Sequence, residues 1–139
     1  MLNKVILMGR LTKDPELRYT PNNIPVCSYT IAVDRNYARQ GEQRQTDFIP
    51  VVSWRSNAEF VSKYFSKGKM IIVVGSLQVR TWDDQEGKRH YITEVIAEET
   101  YFGESKRDAE NRMNIAHDDD HSRDIEGFTP IEGDDELPF

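Results

Sequence analysis

One cysteine, Cys27, is all the thiol chemistry this sequence offers. That excludes an intrachain disulfide framework and a cysteine-built metal cluster. Set in an apolar run, Cys27 reads as a small core residue rather than a nucleophile. No stretch approaches the roughly 20 apolar residues of a membrane span, and the N-terminus opens on strand-like sequence, so no leader is expected. Internal repeats are missing, as are a phosphate-cradling glycine loop, a nucleophile elbow and a metalloprotease helix. Core-forming material is itself sparse: 37% of the 139 residues are hydrophobic and 30% charged, so part of the chain has no core to join. One domain with a tail is expected, in a cytoplasmic protein that is not an enzyme and uses no cofactor or metal.

What is present is unevenly spread. Residues 1–103 carry 14 Lys/Arg against 12 Asp/Glu, a net of +2; residues 104–139 carry 4 against 12, a net of -8. A mildly basic body beside a strongly acidic tail suits a molecule whose body meets a polyanion and whose tail does not. Residues 104–133 show no apolar periodicity and read as a disordered charged linker. The chain then ends Asp134-Asp135-Glu136-Leu137-Pro138-Phe139. Those side chains offer nothing to a core. A partner protein with a basic pocket and an apolar slot for Phe139 would hold them; a solvated acidic end is the plain alternative.

Residues 1–103 read as β-β-β-α-β-β. The run Asn3 to Leu11 is β-rich, and Gly9 within it suggests a bulge or tight bend. From Val26 to Asp34, Cys27, Tyr29, Ile31 and Val33 share one face and Ser28, Thr30 and Ala32 the other. A long, polar and mobile hairpin loop, Arg35 to Gln45, leads to a third strand, Asp47 to Trp54. Ser56-Asn57-Ala58-Glu59 has the form of a capping box. Ala58, Val61 and Phe65 follow at helical spacing, and Gly68 offers a left-handed stop. Met70 to Val74 is an apolar fourth strand that continues through Leu77 to Trp82, and Arg89 to Phe102 returns after a turn. The order fits an all-β domain with one helix, a five-stranded, partly open Greek-key barrel with the helix between strands three and four. A generic α+β sheet under one helix is the alternative.

Aromatic rings and arginines cluster near the strand ends. Phe48 and Trp54, six residues apart, share a face of one strand; Tyr37 and Trp82 sit by loops. Arg35 and Arg39 flank Tyr37, Arg44 precedes Phe48, Arg55 follows Trp54 and Arg80 precedes Trp82. An unpaired nucleic-acid strand needs this mixture, because rings stack on bases of any sequence and guanidinium groups follow phosphates. Any one ring can be core, but Ile31, Val33, Val51 and Ile72 already supply one. The expected contacts are Arg10, Arg35, Tyr37, Arg39, Phe48, Trp54, Arg55, Arg80 and Trp82, over the sheet face and between the loops near 35–45 and 82–88.

The runs Asn3-Lys4-Val5-Ile6-Leu7-Met8-Gly9-Arg10-Leu11 and Asp14-Pro15-Glu16-Leu17-Arg18-Tyr19, the step Lys67-Gly68, Thr93-Glu94-Val95 and the terminal hexapeptide together resemble the bacterial-type single-stranded DNA-binding proteins. The likeness covers residues 1–103 and the last six. It implies an oligonucleotide-binding (OB) fold, usually a homotetramer, that coats single-stranded DNA without sequence preference in replication, recombination and repair. It implies that the base-stacking positions fall on Tyr37, Phe48, Trp54 and Trp82, and that residues 134–139 recruit replication and repair proteins. Some members carry Trp at the first two of these positions and Phe at the third. This chain departs at Pro50, which in mid-strand requires an edge or a bulge, and in a short linker without Gly/Gln/Pro bias.

Two rival readings remain, an enzyme and a binding module with another ligand. His117 and His121, four apart around Asp118 to Asp120, have the spacing of a helical metal pair, although the segment has no apolar face and suits a solvated charge run. His90 is a lone histidine beside a turn, structural or exposed. The barrel could also serve RNA or a protein partner, since a fold does not name its ligand.

Overall fold

The computed structural model describes residues 1–116, built from β1 (Val5–Leu11), β2 (Glu16–Tyr19), β3 (Pro25–Asp34), β4 (Thr46–Trp54), α1 (Ser56–Tyr64), β5 (Met70–Asp83), β6 (Arg89–Phe102) and α2 (Lys106–Ala116). The remainder of the linker, with His117 and His121, and the hexapeptide 134–139 lie outside the described residues. Period-two alternation sets the strand faces as expected: Cys27, Tyr29 and Ile31 point inward from β3, Val51 and Ser53 from β4.

β1 pairs with β5, β5 with β6, β6 runs parallel to β4, β4 pairs with β3, and β3 returns to β1. These five strands close a barrel, with α1 between its third and fourth strands in the order β1, β3, β4, β5, β6. Two seams are short. β1 meets β3 only at Arg10–Ala32 and Leu11–Ile31, and β4 meets β6 only over Val51 to Ser53. This is the partly open OB barrel anticipated from the order of elements. A sixth strand, β2, was not anticipated; it hydrogen-bonds to β3 alone and turns only Leu17 inward, too little to register as alternation.

Inside sit Leu11, Tyr29, Ile31, Val51, Ile71 and Val73, each nearly inaccessible to water. Each such aliphatic side chain contributes roughly 1.5–3 kcal/mol by burial. α1 closes one end of the barrel with Ala58 and Val61, and Phe65 follows them into the core. The helix start differs from expectation. Arg55, at φ 58° and ψ -128°, is the N-cap, and no side chain caps the helix. Ser56 is already its first helical residue, one position too late to act. The helix ends at Tyr64, and Gly68 serves the turn beyond, at φ 86°.

Gly9 is needed for closeness rather than for a bulge. The β1–β5 ladder runs unbroken through it, and a Cβ there would lie 2.6 Å from the Ala32 carbonyl oxygen where β1 crosses β3. The bulge falls at Gly75, where the β5–β6 register shifts and a Cβ would collide with the Ile96 carbonyl oxygen. There β5 turns from barrel wall into a projecting hairpin with β6. Pro50 has the edge it requires, because it precedes the stretch of β4 that pairs with β6.

The start of the linker is helical, which corrects the reading of residues 104–133 as wholly disordered. Ser105 caps α2: its Oγ accepts the Asp108 backbone N–H at 3.3 Å and donates to the Asp108 carboxylate at 2.7 Å. Glu104 ties the helix to the barrel, receiving Arg112 at 3.5 Å, Arg10 at 3.3 Å and the Met70 N–H at 3.3 Å. Among the described residues, no helix is long and apolar enough to cross a membrane.

Candidate nucleic-acid interface

The outward face of β4 carries Phe48, Pro50, Val52 and Trp54 in alternate positions. Across from them β3 contributes Ala32, Thr30 and Ser28. Phe48 is 66% and Trp54 42% exposed, so neither ring belongs to the core. Tyr37, at 77%, stands in the 35–45 loop, and Trp82, at 46%, in the hairpin. All four expected rings are thus presented to solvent. An open groove of about 270 Å³ joins the β3–β4 face to the hairpin, its walls including Thr30, Pro50, Val52, Arg80 and Glu94. Trp82 lies two residues beyond Arg80, on the same side of β5.

The arginines are in unequal states. Arg35 makes a two-pronged pair with Asp47, both contacts 3.0 Å, at the root of the loop beside Phe48. That pairing holds the Asp47 carboxyl below its ordinary range and raises the guanidinium further. With Tyr37 and Arg39, Arg35 also lines a hollow of about 290 Å³ within the loop. Arg80 donates through Nε to Glu94, 2.9 Å away. Glu94 is 7% exposed, so a buried carboxylate fixes the guanidinium at the groove wall. Arg10 stands in register with Ala32 and hence on the Phe48 face, but Glu104 and the Gly68 carbonyl already hold it. Arg55 forms no ion pair among the described residues, and its backbone is in a region that costs a non-glycine residue of order 1–3 kcal/mol. Such strain immediately after Trp54 sets the direction in which the chain leaves the β4 face.

Two side chains that the sequence reading did not assign to the site stand within it. One is Glu94, visible beforehand only as part of the Thr93-Glu94-Val95 run. The other is His90, whose ring stacks on Trp82 with centroids 4.3 Å apart and planes 18° from parallel. His90 Nε2 lies 2.8 Å from Asp84 Oδ2. This contact and the Lys88 N–H hold the Asp84 carboxyl below its ordinary range. Counting outward from the turn would have found the pair, for Asp83–Arg89 and then Trp82–His90 are successive partners. Among the described residues, no cluster of three or more His, Cys, Asp or Glu side chains is placed to hold a metal.

Comparison with known proteins bears on this geometry. The model of the single-strand binding protein family matches residues 2–103. The chain is 48% identical to a single-stranded DNA-binding protein of Caldanaerobacter subterraneus subsp. tengcongensis, with the whole of both chains aligned. It is 45% identical to single-stranded DNA-binding protein 2 of Clostridium acetobutylicum, over 99% of this chain and 100% of that one. Its identity to the single-stranded DNA-binding protein of Bacillus cereus is 52%, over 76% of this chain and 62% of that protein.

Proposed function

The chain belongs to the single-strand binding protein family, and from that premise we propose that it coats single-stranded DNA without sequence preference, keeping it extended during replication, recombination and repair in the cytoplasm. The observation that carries the reading is the outward β4 face, where Phe48 and Trp54 stand exposed with Arg80 in the groove beside them. Bases stack on Tyr37, Phe48, Trp54 and Trp82, each stack contributing roughly 1–3 kcal/mol. Arg35, Arg39, Arg55 and Arg80 follow the phosphates. Arg10 joins them only by exchanging Glu104 for a phosphate. The protein holds DNA and breaks no bond.

Residues 1–103 form the DNA-binding domain, 104–133 the linker and 134–139 a tip that docks replication and repair proteins. Copies associate as a homotetramer through apolar side chains that one chain leaves uncovered. Met8 lies in register with Ile72 and Tyr101 on the barrel wall, and Val79 and Tyr91 stand on the hairpin face away from Arg80.

Titration with oligo-dT, followed through the fluorescence of Trp54 and Trp82, tests the reading. Stacking quenches the indoles, and log affinity falls with log salt at about 0.7 per phosphate contact. No quench at low salt, or an equal response to a matched RNA, overturns it. Light scattering with and without oligo-dT tests the assembly, which a monomer mass would refute. Phe139→Ala should spare DNA binding and abolish partner docking; retained docking would remove the tip assignment.

A further inference from the structure

We propose that His90 is a positioning residue for Trp82: moored by Asp84, its imidazole presets one face of the indole so that the other receives a base. The proposal rests on the DNA-binding reading of this face. Trp82 and His90 face each other across the hairpin, and their stack covers one side of the indole. The ring nonetheless keeps 46% of its residue's surface in contact with solvent.

The mooring is firm at its base. Asp84 Oδ1 accepts the N–H groups of Glu86 and Lys88 at 2.9 and 2.8 Å, and the Asp84 N–H donates to the Lys88 carbonyl at 3.0 Å. The turn therefore fixes Asp84, Asp84 fixes His90, and His90 fixes Trp82. A tryptophan at a hairpin tip with both faces in water samples several rotamers, and ordering it upon binding opposes association. Here much of that ordering is complete before DNA arrives. The other charges around the ring are Arg80 on β5 and Glu94 on β6, Glu86 and Lys88 in the turn, and the Asp83–Arg89 pair on the opposite hairpin face.

Two measurements decide. Trp54→Phe leaves Trp82 as the sole tryptophan. The stack covers one face of the indole and restrains it, so at a fixed pH Trp82 in the free variant should show slow quenching by acrylamide and high emission anisotropy. Adding His90→Ala should speed the quenching and lower the anisotropy, and adding His90→Phe should keep both near the reference. With Trp54→Phe as reference, adding His90→Ala should weaken oligo-dT binding roughly threefold to tenfold, the cost of ordering one side chain. Adding His90→Phe should restore most of the affinity, since a phenyl ring can stack. Quenching and anisotropy that His90→Ala leaves unchanged overturn the stack, and unchanged affinity on His90→Ala overturns its role. Failure of both wild type and reference to bind oligo-dT would strike the proposed function instead, while the quenching experiment still decides whether the stack exists.

Discussion

Tyr29 carries a hydroxyl into the barrel, 3.0 Å from Ser53 Oγ, and both residues are almost wholly buried. Burial pushes the phenol up to about 12, against the Ser53 hydrogen bond, which opposes it. Cys27, two residues back along the same face, is pushed up to about 11, by burial first and by Glu16 second. The folded state thus holds both protons more tightly than the unfolded chain does. Their contribution to stability is full below about pH 9 and is lost as pH rises through 11 and then 12. Tyr29→Phe should remove the upper step and leave Ser53 without its partner, at a cost of about 1–3 kcal/mol at neutral pH. Urea denaturation near pH 7 and near pH 11 checks both halves: a less stable variant at neutral pH, with a shallower decline in alkali. Equal stability near pH 7 would show that the hydroxyl pair contributes nothing. Parity along β3 made the inward direction of Tyr29 legible. Its partner was not, because Ser53 lies 24 residues away and a serine carries no sign of which tyrosine it will meet.

Elements were legible where a period speaks and obscure where contact between distant segments decides. Alternation gave β3 and β4, and helical spacing gave α1. The parallel seam of Val51–Ser53 with Val95–Ala97 and the approach of Gly75 to Ile96 have no local signature, since they exist only once the barrel closes. The outward placing of Phe48 and Trp54 was legible for the same reason as the strands, whereas the Trp82–His90 stack depends on hairpin register. α2 is a different case. Ser105-Lys106-Arg107-Asp108 has the spacing of a capping box, but the segment after it lacks an apolar stripe, and weight on apolar periodicity hid it. A helix held by its cap and by one glutamate should be sensitive to the cap. Ser105→Ala is expected to cost α2 about 1 kcal/mol, visible as roughly fivefold faster amide exchange over 109–116 with the barrel amides unchanged. Unaltered exchange would mean that Glu104 alone holds the helix.

Across the whole molecule the charge division is sharper than the break at residue 104 suggested. Residues 104–116 carry three acidic and three basic side chains, so the entire -8 belongs to residues 117–139, with nine carboxylates against Arg123. The docked part of the tail is neutral and the acidic part lies beyond it. On the proposed reading of the site, a polyanion tethered to a body of net +2 is expected to compete with DNA for the same arginines, and tethering raises its effective concentration. Exposed charges more than a Debye length apart are screened, about 10 Å at 0.1 M salt, so the competition belongs to low ionic strength. Removing 117–139 while keeping α2 and its Glu104 anchor should therefore tighten oligo-dT binding at low salt and converge on the full-length protein as salt rises. The two lines of log affinity against log salt should differ in slope, the truncated protein falling more steeply because no internal anion has already displaced counterions from its arginines. Parallel lines, or equal affinity at the lowest salt, would show that the acidic segment does not reach the DNA face.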